Sequence, residues 1–274
     1  MKKVIWITGA SSGFGMATAL QLLRNTEHKI CVSARRHELL DILVKEGGYA
    51  FPLDVTDSVE VHAVQRKIED EVGKIDAVLV NAGYGIYGPV EEVPQEAAAR
   101  QFEVNVFGAV ETIRSVLPGM RENRAGRIVI TSSAAAHVSS AGMGYYAASK
   151  HSIKALGTAL RQEVKSFGID VVMIEPGVVN TPFGNIALDK NYINTQDGAY
   201  AFLMKEVKQY MLGAFQRAPG PEETRDAMVR ALVGKKVKPV YRTTKGTFGL
   251  TMLSRLLPAS AYDFLIHEGM KRLK

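Results

Sequence analysis

Val4-Ile5-Trp6-Ile7-Thr8-Gly9-Ala10-Ser11-Ser12-Gly13-Phe14-Gly15 is the stretch that sets the fold. Five apolar or β-branched residues run straight into a turn with three glycines, and an amphipathic helical pattern follows. Glycine tolerates the left-handed backbone that a tight strand-to-helix turn needs, and it lets another group come close to the main chain. The N-terminus of the next helix presents free N–H groups and the positive end of its dipole, a natural seat for a pyrophosphate. The spacing is T-G-x-x-x-G-x-G and differs from the G-x-G-x-x-G of other dinucleotide folds.

Outward from this turn, short strand-like runs alternate with longer helical ones. Strands are expected at Val4–Thr8, Ile30–Ala34, Ala77–Asn81, Arg127–Thr131 and Asp170–Glu175, with weaker ones at Tyr49–Leu53 and Lys238–Tyr241. Helices are expected at Phe14–Asn25, His37–Glu46, Ser58–Val72, Ala97–Asn123 and Tyr145–Phe167. Several strands are apolar on both faces, as parallel strands covered by helices must be. The order predicts one α/β unit over residues 1–274: a Rossmann-type, doubly wound parallel sheet with helices on both faces. Residues 182–221 break the rhythm after the sixth strand and read as a helical substrate lid.

Composition narrows the function. The 274 residues are 46% hydrophobic and 23% charged, the balance of an ordinary globular protein. One cysteine, Cys31, rules out an internal disulfide and fits a reducing compartment. The apolar run Val4–Ile7 is too short for a signal-peptide core, and no stretch is long enough to span a bilayer, so a cytoplasmic protein is expected. The net charge of +6 arises from Lys235 onward, where nine Lys/Arg face two Asp/Glu. A basic body that binds nucleic acid is therefore excluded. The scattered histidines and lone cysteine show no metal-ligand spacing.

The second strand ends in Ala34-Arg35-Arg36. An acid at the position of Ala34 would accept hydrogen bonds from an adenosine ribose and repel a 2′-phosphate. Two guanidiniums after an alanine suit that phosphate instead, so NADP(H) is expected over NAD(H). Farther on, Tyr146 and Lys150 are four residues apart and share one helix face. A phenol is a weak base at neutral pH, and a nearby ammonium favours the phenolate. Ser133 follows the strand Arg127–Thr131 and so lies at the C-terminal edge of the sheet, where open α/β folds bind ligands. Its hydroxyl is placed to hold a substrate oxygen beside the tyrosine. Asn81-Ala82-Gly83 and Pro176-Gly177 end two more strands at that edge. Tyr145, which has no lysine four residues on, is expected to be structural.

These elements together resemble the classical short-chain dehydrogenase/reductase family, and its hydroxysteroid- and retinol-dehydrogenase-like members in particular. The likeness runs from Lys3 to about Tyr241 and rests on Thr8–Gly15, Asp54-Val55, Asn81-Ala82-Gly83, Asn105, Ser133, Tyr146, Lys150 and Pro176–Thr181. The resemblance implies an enzyme that interconverts an alcohol and a carbonyl. In it Tyr146 is the general acid/base, Ser133 holds the substrate oxygen, and Lys150 lowers the tyrosine pKa and holds the ribose. It further implies that Asn105 holds a relay water through its helix backbone, that Asp54 contacts the adenine, and that Asn81 shapes the cofactor floor. Val179 and Thr181 would meet the carboxamide. Ser12 departs from the basic residue often found there in NADP-preferring relatives, which leaves the preference to Arg35 and Arg36. A non-catalytic NADP(H)-binding sensor on the same fold is the rival, and it would have lost part of the Ser/Tyr/Lys/Asn set.

The expected substrate walls, Tyr84–Tyr87, Ala134–Gly144 and Phe183–Phe215, are apolar and hold no cluster of Arg or Lys, so a lipophilic substrate is expected. His137 reads either as a polar handle in that pocket or as a surface histidine. Residues 242–274 form a basic amphipathic extension. Its apolar residues (Phe248, Leu250, Met252, Leu253, Leu256, Leu257, then Tyr262, Phe264, Leu265, Ile266, Met270) are flanked by Lys245, Arg255, Lys271, Arg272 and Lys274. Two readings stay open: a cover for the lid or a subunit neighbour, or a peripheral contact with an anionic membrane. The helices Ala97–Asn123 and Tyr145–Phe167 are dimer faces in the family, which implies a homo-oligomer, a dimer or a tetramer.

Overall fold

The computed structural model describes residues 2–189, 192–193 and 198–271. Seven strands form one sheet in the order β3-β2-β1-β4-β5-β6-β7, and every neighbouring pair is parallel. The strands are β1 (Val4–Thr8), β2 (Lys29–Ser33), β3 (Tyr49–Ala50), β4 (Ile75–Val80), β5 (Gly126–Thr131), β6 (Ile169–Pro176) and β7 (Val240–Thr243). Side chains alternate between the two faces. Val4 and Trp6 of β1 enter one core with Val78, Ile113 and Ile153, whereas Ile5 and Ile7 enter the other with Leu22, Leu40 and Leu232.

Helices cover both faces. The glycine turn leads into α1 (Gly13–Asn25); α2 (Asp41–Lys45), α3 (Ser58–Glu71), α4 (Gln95–Phe102), α5 (Ala109–Glu122) and α6 (Gly144–Glu163) follow. After β6 come α7 (Pro182–Asp189), α8 (Ala201–Arg217) and α9 (Glu222–Val233), and after β7 α10 (Thr247–Leu256) and α11 (Ala259–Lys271). The expected doubly wound order is present.

Two strands and one helix depart most from expectation. The third strand is regular only over Tyr49–Ala50, although Phe51 N and Leu53 N still donate to the Val32 (2.9 Å) and Ala34 (3.2 Å) carbonyls. Pro239, which has no N–H to give the ladder, moves the last strand to Val240–Thr243, and its carbonyl accepts from Met173 N at 3.0 Å. The helix expected over Ala97–Asn123 is interrupted by a π-helical segment, Glu103–Gly108, with Asn105 inside it. Such segments widen the helical turn and disturb its hydrogen-bond ladder, and they recur at functional sites.

Candidate active site

A cavity of about 830 Å³ lies along the C-terminal edge of the sheet, from the Arg35–Arg36 end to the tail. The glycine turn closes one side. Gly9 (φ +65°) and Gly13 (φ +56°) hold the left-handed conformations that the sequence suggested. No atom lies within 4 Å of where a Gly13 side chain would start, so the main chain there is open to a ligand. Gly15 sits behind the turn, and a β-carbon on it would fall 2.5 Å from the Gly9 carbonyl oxygen. Ser12 is the N-cap of α1, yet its side chain caps nothing, so the first N–H groups of that helix remain available. Asn81 stitches three strand ends together. Its Nδ2 donates to the carbonyls of Thr8 (3.2 Å) and Gly9 (3.3 Å), and its Oδ1 accepts from the Thr131 hydroxyl at 3.2 Å.

Of the residues singled out in the sequence, Gly9, Ser11, Ser12, Gly13, Phe14, Arg35, Arg36, Asp54, Val55, Asn81, Ala82, Gly83, Ser133, Tyr146, Lys150, Pro176, Gly177, Val179 and Thr181 all line this one cavity. Gly15 and Asn105 stand behind its wall and support it. Burial works against the Asp54 carboxylate, but the Thr56 amide and hydroxyl and the Arg100 guanidinium (2.8 Å) outweigh it and hold the pKa below the usual range.

Tyr146 and Lys150 lie one turn apart on α6, and the Lys150 ammonium is 5.9 Å from the centre of the tyrosine ring. Lys150 Nζ donates to the Thr131 carbonyl at 3.1 Å, and burial brings its pKa down to about 8. The phenol behaves otherwise than expected. Burial pushes it up to about 12, and the neighbouring Ser133 side chain opposes that rise. The Lys150 ammonium is held at the end of β5 by the Thr131 carbonyl.

Asn105 Nδ2 donates to the Tyr84 carbonyl (2.8 Å) and to Ser149 Oγ (3.0 Å), while its Oδ1 accepts from Tyr84 N (3.0 Å). Ser149, absent from the sequence reading, donates in turn to the Tyr146 carbonyl at 2.8 Å and so ties the π-helical segment to α6. It was hidden as a small residue inside Tyr146–Lys150 whose partner lies far off in the chain.

Beyond the phenol the wall is apolar. The Tyr146 ring packs against Tyr87 (centroids 6.1 Å apart) and Phe183 (5.7 Å), with Met143, Val207, Met211 and Phe215 farther out. Two basic residues outside the expected walls also reach the cavity, Arg217 at the end of α8 and Lys245 in the turn after β7. The tail contributes Tyr262, Leu265 and Ile266, and the Tyr262 hydroxyl donates to the Ser139 carbonyl at 3.0 Å. His137 is neither a pocket handle nor a surface residue, because its side chain is buried against Glu175. Tyr145 donates weakly to the Val90 carbonyl (3.4 Å) and stays out of the cavity wall.

With this geometry in place, comparison with known proteins is direct. The short chain dehydrogenase family profile matches residues 3–191. The chain belongs to the short-chain dehydrogenase/reductase family. It is 34% identical over 259 residues to the short-chain type dehydrogenase/reductase VdlC of Helicobacter pylori, covering 94% of each chain. It is 36% identical over 248 residues to a 3-ketodihydrosphingosine reductase of Bacteroides thetaiotaomicron, covering 89% of this chain and 88% of that one. A solved short-chain dehydrogenase of Streptomyces avermitilis superposes with a TM-score of 0.81 at 29% identity, over 99% of this chain and 98% of the other. This short-chain dehydrogenase/reductase is thus an oxidoreductase with the family's Rossmann-like sheet.

Proposed function

We propose that the chain works as one catalytic unit that interconverts a lipophilic alcohol and its ketone or aldehyde with NADP(H), and that Tyr146 carries the proton. The observation that carries this reading is the Tyr146 hydroxyl. It shares with the Ser133 hydroxyl a cavity that has the glycine turn at one end and an apolar, aromatic wall at the other. The nicotinamide supplies or accepts the hydride when bound. Gly13 and the uncapped start of α1 would hold its pyrophosphate, and the exposed Arg35 and Arg36 would pair with the 2′-phosphate. Lys150, with donors beyond the one given to Thr131, would hold the ribose hydroxyls.

In the reducing direction Ser133 and Tyr146 both donate to the substrate oxygen, and Tyr146 gives up its proton as that oxygen gains charge. In the oxidising direction the same oxygen returns it. A tyrosine that burial keeps protonated suits the proton-donating role. Residues 182–221 act as a lid over the substrate end, and the apolar lining, like the name of the sphingolipid-type relative, supports a lipid-like substrate. Phe107 and Leu156, 58% and 46% exposed on the helices named as dimer faces, support assembly into a homo-oligomer. A panel of long-chain and steroid-like carbonyls with NADPH or NADH, followed by loss of reduced-cofactor absorbance, tests the reading. Faster turnover of apolar carbonyls with NADPH is expected. Cofactor binding without turnover of any carbonyl or alcohol would leave a sensor on the same fold as the better account.

A further inference from the structure

Lys154, His137, Glu175 and Arg242 form a line of polar groups that the proposed chemistry leaves unused. The His137 and Glu175 side chains are each 2% exposed, and His137 Nε2 lies 2.9 Å from a Glu175 carboxylate oxygen. Arg242 Nε meets the same oxygen at 3.1 Å. On the other side of the ring, Lys154 Nζ lies 3.1 Å from His137 Nδ1 and donates to the Ala136 carbonyl at 3.2 Å. An ammonium can only donate, so Nδ1 accepts, and the proton of the neutral ring sits on Nε2 facing the carboxylate.

The attachments of these four residues matter more than the pair itself. His137 directly follows the single turn that Ser133 opens, Ala134–Ala136. Lys154 is one helical turn beyond Lys150 on α6. Glu175 immediately precedes Pro176-Gly177, and Arg242 lies two residues before Thr244, whose hydroxyl accepts from Gly177 N at 3.0 Å. Replacing buried charged and hydrogen-bonding groups with apolar residues is often neutral for stability, so such a cluster is weak evidence of a purely stabilising role. We infer that His137 and Glu175 are positioning residues: the line Lys154–His137–Glu175–Arg242 holds the Ser133 turn, the Tyr146 helix and the 176–181 loop in register.

This inference rests on the reading of Tyr146 and Ser133 given above. The charged groups facing the ring are Lys154 from α6, Glu175 from β6 and Arg242 from β7. The segment α10 packs on the same turn with no charged side chain among its described residues. Burial holds the ring below its ordinary pKa of 6.5; Glu175 opposes this, and Lys154 and Arg242 reinforce it. Protonation would put a proton on Nδ1, facing Lys154, and break that contact.

The test uses the full chain with NADPH and a carbonyl that the wild type turns over. It measures kcat, KM, NADPH affinity, Tm and the pH profile. Glu175→Gln and His137→Leu are expected to lower kcat by about tenfold or more while NADPH affinity stays within about threefold, since small misplacements of reacting groups are costly. His137→Gln keeps one acceptor and one donor but cannot titrate; it is expected to keep near-normal kcat and to flatten the acid limb of the profile. A lowered Tm with wild-type kcat and pH profile in Glu175→Gln and His137→Leu overturns the inference. If both fail to fold, the half-buried Lys154→Met decides. A lower kcat and an acid limb moved to higher pH support positioning, because one cation beside the ring is gone; wild-type values refute it. Near-normal turnover in Tyr146→Phe counts against the proposed chemistry, whereas an inactive Tyr146→Phe beside a fully active Glu175→Gln counts against positioning alone.

Discussion

At the scale of single residues, the site combines a phenol that burial keeps protonated with an ammonium that burial disfavours. Tyr146→Phe removes the proposed proton donor, and turnover is expected to fall by about 100-fold or more, as for other losses of a general acid/base. Cofactor affinity in that variant should stay near wild type, and its near-normal turnover would move the donor elsewhere. Lys150 gives a second test through stability. Its pKa falls from 10.5 to about 8 on folding, with burial as the cause. The folded chain therefore releases this proton before the unfolded chain does, and stability rises with pH between about 8 and 10.5. Below that window the buried charge is a cost. Lys150→Met should accordingly raise the Tm of the cofactor-free protein at pH 7 by about 3 °C or more while abolishing turnover. The Tm gap should close as pH rises from 8 to 10, and a gap independent of pH would mean that the charge is not what destabilises. Arg35 provides the cofactor test. Ala34→Asp with Arg35→Ala exchanges the proposed phosphate fork for a ribose acceptor, and each charge-assisted contact contributes about 1.5–3 kcal/mol. The NADPH-to-NADH preference, read from the two kcat/KM values, should drop at least tenfold; a wild type that already prefers NADH would end this reading of Arg35 and Arg36.

At the scale of elements, the glycine turn shows how two glycines of one turn, Gly13 and Gly15, fail differently. A β-carbon at Gly15 would meet the Gly9 carbonyl oxygen at 2.5 Å and Asn81 Nδ2 at 2.8 Å, so α1 would have to move off the sheet. A β-carbon at Gly13 would meet nothing within 4 Å, but φ +56° costs an L-residue about 1–2 kcal/mol. Gly15→Ala is therefore expected to lose more Tm than Gly13→Ala, whose loss is confined to the backbone strain, and both are expected to lose NADPH affinity; calorimetry and cofactor fluorescence on both variants separate the two. Equal Tm losses would show that the turn fails as one unit. This element was legible because β1, the glycines and α1 are contiguous, and each follows from local rules. The strands were legible for a related reason: parallel strands covered on both faces read as unbroken apolar runs. The π-helical segment at Glu103–Gly108 was not, since hydrophobic spacing across Ala97–Asn123 fits an ordinary helix equally well. Its hold on Tyr84 and Ser149 depends on residues distant in sequence.

At the scale of the whole molecule, the sequence left open what covers the cavity. Apolar residues in the tail have the same spacing whether they meet a lid, another subunit or lipid. Among the tail side chains named from sequence, Phe248, Leu250, Leu253, Arg255, Met270, Lys271, Arg272 and Lys274 lie outside those described. The described ones divide into two groups. Tyr262, Leu265 and Ile266 line the cavity, and α11 packs on α8, which favours a cover. Leu256 and Phe264 stay 73% and 64% exposed, which keeps the membrane reading testable. No described helix is long and apolar enough to cross a bilayer. Truncation after Leu257 removes α11 and spares β7 and the Thr244–Thr247 contacts that support Gly177. It should raise KM for long apolar carbonyls about tenfold, because burial contributes ~25 cal/mol per Å² and three apolar contacts leave the wall. Small carbonyls should keep their kcat. Sedimentation with anionic vesicles at low and high salt gives the second readout, since each basic residue near such a surface contributes about 1 kcal/mol. Salt-sensitive binding that disappears with α11, together with an unchanged KM, would make the tail a membrane contact. A raised KM without vesicle binding makes it a wall of the substrate site.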